Sequence, residues 1–594
     1  MKIKISLFVF ISFFAAHVSF AQTPSVKWWN PETAGFSVLE GQGWASELQS
    51  FYDRFPKRAE GSVTKAVWDL SKQSAGLMIR FRSNAAEIKV RYVVAGAHGF
   101  PHMPATGVTG VDLYAVSSNG VERWCSGKYA FGDTIVYNYK NIEPNDEFHK
   151  SGREYRLFLP LYNQVKWMEI GTPEGTAFTP LPVRPDKPIV VYGTSIAQGG
   201  CASRPGMAWP TILERKLDEP LINLGFSGNG RLDKEVIDLL AEIDAKLYVI
   251  DCLPNLTIWN DPKFMVTPEE IKKRLAYAVK TLKAKRPDVP IVFAEHAGYT
   301  DEALNPVSRN YSQRVNEVLR QSFETMLSDG FTKIYLIPKE DFGQDIETMV
   351  DGTHPSDLGM MRYAVGYEKH IRKILNEPLG EVSTTKAVTQ LRELNNYDWE
   401  KRHRDILELN KKTPPKTVVI GNSITHFWGG IPKGHRVSGA AAWDKTFGTN
   451  NVRNMGYGWD RIENVLWRVY HGELDGYQAK QIFVNIGTNN LDYNSDSEIL
   501  AGWKQMIGAI KSRQPNAELL MIGIYPRRKK EDRVKSLNTE MAKLAAESNV
   551  RYIDPGKVLT QKDGMIDESM FSDGLHPNEK GYEILGAAIK PFVK

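Results

Sequence analysis

The sequence runs to 594 residues with 42% hydrophobic and 24% charged side chains, an ordinary globular composition in a chain too long for one core. Its net charge is +5, and two of the positive groups, Lys2 and Lys4, lie in an N-terminal leader, so the remainder carries +3. So small a positive balance gives no electrostatic reason to expect nucleic acid or a charged membrane surface as partner.

In chain order, residues 1–21 read as a secretory signal peptide. Lys2 and Lys4 form the basic start, residues 5–16 are apolar, and Ser19-Phe20-Ala21 sets small residues at −3 and −1 before Gln22. The apolar run falls short of the roughly 20 residues a membrane span needs, and no later stretch reaches that length, so export without stable membrane insertion is expected. Residues 22–183 alternate apolar and polar side chains over 75–82 and 87–94, with a further strand at 167–170 and Gly and Pro between, as in an N-terminal β-sandwich. Three cysteines, Cys125, Cys201 and Cys252, are too few for a disulfide framework. Cys201 and Cys252 could pair or simply fill small buried positions.

After Pro182 the pattern changes to short apolar runs at 188–192, 247–250, 290–294 and 334–337, with amphipathic stretches at 268–285 and 306–327 between them. This alternation predicts a parallel sheet covered by helices on both faces over 184–378. Residues 379–414 are charged and helical in pattern, which predicts a linker helix. A second α/β unit follows at 415–594, with strands at 417–420, 481–486, 518–524 and 550–553 and helices at 461–470, 495–513 and 530–547.

The two α/β units repeat one constellation. Ser195 in Val-Val-Tyr-Gly-Thr-Ser-Ile is followed by Asp351-Gly-Thr-His354-Pro, and Ser423 in Val-Val-Ile-Gly-Asn-Ser-Ile by Asp573-Gly-Leu-His576-Pro. Serine-to-histidine separations are 159 and 153 residues. A serine hydroxyl attacks an acyl carbon only when a histidine takes its proton, and an aspartate must hold that ring in the right tautomer. Between serine and histidine lie Asn223-Leu-Gly-Phe-Ser-Gly228 and Asp251-Cys-Leu-Pro-Asn255 in the first unit. The second has Asn454-Met-Gly-Tyr-Gly458-Trp459-Asp460 and Gly487-Thr-Asn489-Asn490. Such blocks can supply donors for a tetrahedral oxyanion.

These blocks resemble those of the SGNH (GDSL-type) hydrolase family over residues 185–375 and 415–594. The resemblance implies a flavodoxin-like α/β/α fold for each unit. It implies Ser195, Asp351 and His354 as a catalytic triad, with the Gly228 amide and the Asn255 side chain as oxyanion donors. Ser423, Asp573, His576 and Asn489 carry over to the second unit. There the family's glycine is replaced by Trp459, whose N–H remains a donor although its φ/ψ and the access to the site come into question. Residues 454–468 resemble the catalytic subunit of platelet-activating-factor acetylhydrolase, which implies a pocket for a short acyl group such as acetyl. Pro104-Ala-Thr-Gly-Val-Thr-Gly110-Val-Asp-Leu-Tyr114 resembles a Gly-x-Asp-Leu-Tyr module found ahead of some secreted SGNH esterases. His98 and His102 in that loop are placed to reach the first site or to stay solvated, and Glu295-His296 is a substrate contact or a structural pair.

The Gly-x-Ser-x-Gly elbow is missing at both serines, and so are a zinc helix, a phosphate loop and a dinucleotide fingerprint. No cofactor and no metal are therefore expected. The expected activity is removal of O-acetyl groups from a glycan or oligosaccharide by a serine esterase with tandem sites. Among 14 Trp and 24 Tyr some can stack on sugar faces. The alternatives are a lipid or small-acyl-ester hydrolase, and a glycan-binding protein whose hydrolase folds do no chemistry.

Overall fold

The computed structural model describes residues 25–146, 148–149, 152–256, 266–392 and 396–594. The leader expected at 1–21 lies outside the described residues. The N-terminal part forms two antiparallel sheets. One runs Val26–Trp29, Val165–Pro173, Ile88–Val94, Ile135–Tyr139 and Lys128–Ala130. The other runs Phe178–Pro180, Met78–Ser83, Arg153–Phe158, Asp112–Val116 and Glu122–Cys125, with Leu39–Glu40 added on Met78–Ser83. Ile88, Val90 and Tyr92 alternate inward on one strand, as period two requires. They share a core with Ile79, Phe81, Tyr155 and Leu157 of the other sheet.

The first α/β unit holds a five-stranded parallel sheet in the order Leu221–Gly225, Ile189–Gly193, Leu247–Asp251, Ile291–Ala294, Ile334–Ile337. Numbered along the chain that order is 2-1-3-4-5, the flavodoxin-like arrangement. The second unit repeats it with Val452–Gly456, Thr417–Gly421, Gln481–Asn485, Glu518–Ile522 and Arg551–Ile553. The first two strands in chain order are buried along their whole length in the first unit, which is why they read as continuous apolar runs. Each sheet is covered on both faces. In the first unit, helices Pro268–Lys285 and Pro306–Ser328 pack on one face and Trp209–Leu217 and Asp357–Leu375 on the other.

Apolar periodicity does not predict the edge strands Leu221–Gly225 and Val452–Gly456, because a buried asparagine interrupts each run. Asn223 Nδ2 donates to Ala197 O at 2.8 Å, and its Oδ1 accepts Gly225 N at 2.8 Å. Asn454 repeats both bonds with Thr425 O and Gly456 N, also at 2.8 Å. The interrupting side chain thus ties the edge strand to the short helix that starts at the nucleophile position. The linker also differs from expectation. Its helix occupies only Trp399–Lys412, capped by Asp398, whose Oδ1 accepts Lys401 N at 3.0 Å. Upstream, Gln390 and Arg392 bond to the second unit instead of to a helix turn of their own.

Three parts of the chain meet on buried charge. Arg80 of the N-terminal part makes a two-pronged bond to Glu400 of the linker helix at 2.7 and 2.8 Å, and also reaches Glu154 at 3.0 Å. Arg156 bridges Glu122 and Asp218, both at 2.8 Å, and Trp467 Nε1 donates to the other oxygen of Asp218 at 2.9 Å. Apolar contact joins the first two parts as well: Trp44, Phe55, Val67 and Trp68 complete the core on one face of the first parallel sheet. Arg54 closes that sheet's edge by donating to Asn223 O and Gly225 O at 2.9 Å.

Candidate active sites

Ser195 is the first residue of the helix Ser195–Gln198, directly after the strand Ile189–Gly193 and its capping Thr194. Ser423 opens Ser423–His426 after Thr417–Gly421 in the same way, capped by Asn422. Each serine therefore stands at the carboxyl end of the sheet beside a change in strand order, where open α/β sheets bind ligands.

Both aspartate–histidine pairs fold into a tight local turn. Asp351 Oδ1 accepts Thr353 N at 3.2 Å and His354 N at 2.8 Å. Asp573 Oδ1 accepts Leu575 N at 3.0 Å and His576 N at 2.8 Å. The turn needs a left-handed residue after the aspartate, supplied by Gly352 at φ +87° and Gly574 at φ +81°. The second carboxylate oxygen is then free to face the ring. Asp351 Oδ2 lies 2.7 Å from His354 Nδ1, and His354 Nε2 lies 2.8 Å from Ser195 Oγ. The second unit gives 2.7 Å for Asp573 to His576 and 2.8 Å for His576 to Ser423. A carboxylate at Nδ1 fixes the proton there and leaves Nε2 as the base toward serine. Burial pushes the two carboxyls up, but hydrogen bonds from the histidine backbone and ring outweigh it, so both lie below the ordinary aspartate range.

The oxyanion positions correspond through sheet register. Gly193 pairs with Gly225 and Gly421 with Gly456, which places Gly228 and Trp459 at the same point of the two units. Their backbones agree: φ is +69° at Gly228 and +62° at Trp459. Asn255 and Asn489 correspond in the same way. Asn255 Oδ1 accepts Gly230 N at 3.0 Å, and among the described residues no acceptor takes its Nδ2 hydrogens. Asn489 Nδ2 gives one hydrogen to Asp460 O at 2.9 Å and keeps the second. Behind Trp459, Asp460 is buried against Arg468 at 2.9 Å and Trp399 Nε1 at 2.8 Å. Burial pushes its carboxyl up to about 6 against the pull of Arg468.

The rims differ. At the first triad the N-terminal part supplies His102, its ring 6.1 Å from that of His354, and Phe100, stacked on His102 at 6.0 Å. Tyr162 meets Phe100 edge-on at 5.9 Å and donates its hydroxyl to Ser195 O at 3.1 Å. His98 instead packs on Phe131 at 5.7 Å. At the second triad Phe427 lies 5.2 Å from His576 and is met by His435 at 5.3 Å. Tyr397 of the linker donates to Gly458 O at 2.8 Å, and Arg392 donates to Trp459 O at 3.1 Å. Phe148 of the N-terminal part meets the Trp459 ring at 5.8 Å, edge to face. Tyr162, Phe148 and Tyr397 carry no sequence signal of their own, because each reaches its site from outside the hydrolase unit.

Glu295 is locked by Arg320 at 2.5 and 2.9 Å, and buried His296 accepts Gly298 N at 2.9 Å, which gives the pair a structural role. All three cysteines are unpaired. Among the described residues, two groups of side chains bring three metal-ligand atoms within 4.8 Å: Cys201, Asp351 and His354, and Asp186, Glu219 and His471. The first group reuses the triad. In the second, the Lys246 ammonium already bonds Glu219 and lies 3.1 Å from Glu377. Among the described residues no helix is long and apolar enough to cross a membrane.

Known proteins align with this architecture. Models of the GDSL-like lipase/acylhydrolase family match residues 186–372 and 419–584, and a model of the N-terminus of SGNH-hydrolase-type esterases (GxDLY) matches residues 26–178. A solved Bacteroides ovatus structure described as a GDSL-like lipase is 32% identical, with TM-score 0.53, over 59% of this chain and 98% of its own. The human platelet-activating factor acetylhydrolase IB subunit alpha1 is 26% identical over 189 residues, 31% of this chain and 78% of its own length. The human alpha2 subunit is 28% identical over 189 residues, with the same shares.

Proposed function

Because the chain belongs to the GDSL-like lipase/acylhydrolase family and is an ester hydrolase, we propose that it is an exported carbohydrate O-acetylesterase with two working sites. The observation that carries this reading is the unbroken serine–histidine–aspartate chain, present twice with the same spacings of 2.8 and 2.7 Å. Export to the periplasm or cell exterior rests on the leader in residues 1–21 and places the enzyme among glycans. At the first site the rim of His102, Phe100 and Tyr162 mixes polar and aromatic groups, which suits a sugar ester better than a long acyl chain. The two antiparallel sheets are taken as one β-sandwich spanning residues 22–183, with hydrolase domains at 184–378 and 415–594.

Chemically, Ser195 Oγ or Ser423 Oγ attacks the acetyl carbonyl carbon while its proton passes to Nε2 of His354 or His576. The carbonyl oxygen gains negative charge and is met by the Gly228 amide and Asn255 side chain, or by the Trp459 amide and Asn489 side chain. Collapse breaks the bond from carbon to the sugar oxygen, and the imidazolium returns its proton to that oxygen. Water then repeats the sequence on the acetyl-serine, giving acetate and free enzyme.

The test uses Ser195→Ala, Ser423→Ala and the double variant against acetylated xyloglucan, mannan and pectin fragments, O-acetyl sialic acid and long-chain aryl esters. Each single variant should lose part of the acetate release and the double variant all of it. Undiminished release by the double variant would exclude both nucleophiles. Turnover confined to long-chain esters would replace the sugar reading with a lipid one.

A further inference from the structure

At one backbone position the two units make opposite choices. A side chain added at Gly228 would start into open space, since nothing lies within 4 Å of the place its Cβ would occupy. The corresponding residue of the second unit, in the same left-handed conformation, is the largest side chain available. Trp459 is 41% exposed although residues on both sides of it are buried. An L-residue resists this conformation, and a bulky one more than most. A tryptophan held there keeps a strained backbone and leaves its ring in water, so neither local stability nor core packing accounts for it.

The neighbourhood pins the backbone that carries the ring and leaves the ring itself partly uncovered. Arg392 fixes the Trp459 carbonyl at 3.1 Å, and Gln390 and Tyr397 both fix the carbonyl of Gly458, at 2.9 and 2.8 Å. Phe148 meets the indole edge to face at 5.8 Å, across the boundary between the N-terminal part and the second hydrolase unit. An exposed apolar plane thus stands on the residue whose amide is expected to meet the oxyanion of the second site, where the first site has open space.

We propose that the Trp459 indole, braced by Phe148, is a sugar-stacking subsite of the second site, binding a pyranose ring of the acetylated glycan whose ester meets Ser423. This rests on the sugar-ester reading above and adds where the ring binds. An acetyl group is too small to cover an indole. The C–H face of a pyranose matches its electron-rich face, and the polar groups around the rim can meet the ring hydroxyls. The two sites then differ in preference: the second favours an ester whose ring can cover the indole, and the first has no such plane at the corresponding position.

The test isolates the second site in Ser195→Ala protein and compares Trp459 with Trp459→Gly and Trp459→Phe. The probes are vinyl acetate, which has no ring to stack, and acetylated xyloglucan, mannan and pectin oligosaccharides. Trp459→Gly should lower the ratio of oligosaccharide to vinyl-acetate kcat/KM by about tenfold, mainly through KM, and Trp459→Phe should restore part of it. Phe148→Ala should shift the ratio the same way by a smaller factor. An unchanged ratio overturns the subsite, and so does a selective loss on long-chain aryl esters, which would make the indole an acyl-chain wall. If Ser195→Ala protein hydrolyses none of the probes, activity at the second site fails as a reading. Equilibrium binding of the same oligosaccharides to Ser195→Ala/Ser423→Ala protein, with and without Trp459→Gly, then decides the subsite alone. Equal affinity for every member overturns it.

Discussion

The two hydrolase units agree at the triad and disagree around it. Serine-to-histidine and histidine-to-aspartate distances coincide, and so do the asparagines that tie the edge strand to the helix starting at the serine. Every one of these features is made within a unit: the aspartate–histidine pair by a turn of four residues, the asparagine tie between an edge strand and the short helix beside it, and the serine–histidine bond by two loops at the carboxyl end of one sheet. The rims draw in part on side chains from outside the units. The N-terminal part lends His102 and Tyr162 to the first site, and the linker lends Tyr397 and Arg392 to the second. Hydrogen bonding within each unit keeps the same serine–histidine–aspartate geometry in both copies, while the side chains brought to the two rims from outside differ.

The sharpest way to break that comparison is to disable the shared turn in each unit separately. Asp351→Asn in Ser423→Ala protein, and Asp573→Asn in Ser195→Ala protein, keep the shape of the side chain but no longer stabilise the imidazolium. Each should lower kcat on 4-nitrophenyl acetate by about 10³–10⁴-fold with little change in KM. Equal losses mean that the same local machinery runs both sites. A loss in the first unit alone would show that the second triad is assembled without being used.

A second test addresses the junction that lets outside parts reach the sites. Arg80 is buried among Glu154, Glu400 and Glu40, at 3.0, 2.7 and 3.4 Å. Arg80→Met leaves three carboxylates without their shared cation, which should cost about 3–5 kcal/mol in urea unfolding. Adding Glu400→Gln should recover part of that loss, because one of the stranded charges is removed. If the sites depend on docking as the rims suggest, both variants should also be cleaved faster by protease between the N-terminal part and the hydrolase units.

The sequence carried the units and triads plainly, because each is written in local signals: continuous apolar strands, a serine at a strand end, and Asp-Gly-x-His. The helix at residues 268–285 has the bounds that its apolar spacing indicates. The edge strands were hidden by Asn223 and Asn454, whose polarity breaks the apolar run although both are fully buried and bonded. The repeated Asn-x-Gly after each serine was the available signal. Residues 379–398 look helical by charge pattern, yet Gln390 and Arg392 gain stronger partners on the second unit than a helix would offer. The partners Phe148 and Tyr162 were illegible for another reason: the contacts that give them meaning join positions 311 and 33 residues apart.

The effect confined to one pH window lies deeper in the sheets. Asp251 and Asn485 occupy the same place in the two units, opposite Gly193 and Gly421. Asn485 Nδ2 donates to Gly523 O at 2.8 Å and carries no charge. Asp251 is buried, and burial, only partly opposed by the Tyr367 hydroxyl, pushes its carboxyl up to about 7. An unfolded aspartate ionises near pH 4. Between about pH 4 and 7 the unfolded chain has therefore released a proton that the folded chain still holds. Stability must fall as pH rises through this window and level off above it. Asp251→Asn, which copies the second unit, removes the titration. The variant should match the parent in thermal unfolding near pH 4 and exceed it by pH 8, by about 4 kcal/mol. The gain should appear in the first unit, since Asn485 already has this form in the second. A difference that stays constant from pH 4 to 8 would mean that Asp251 is not titrating in the fold, and that its contrast with Asn485 is one of packing.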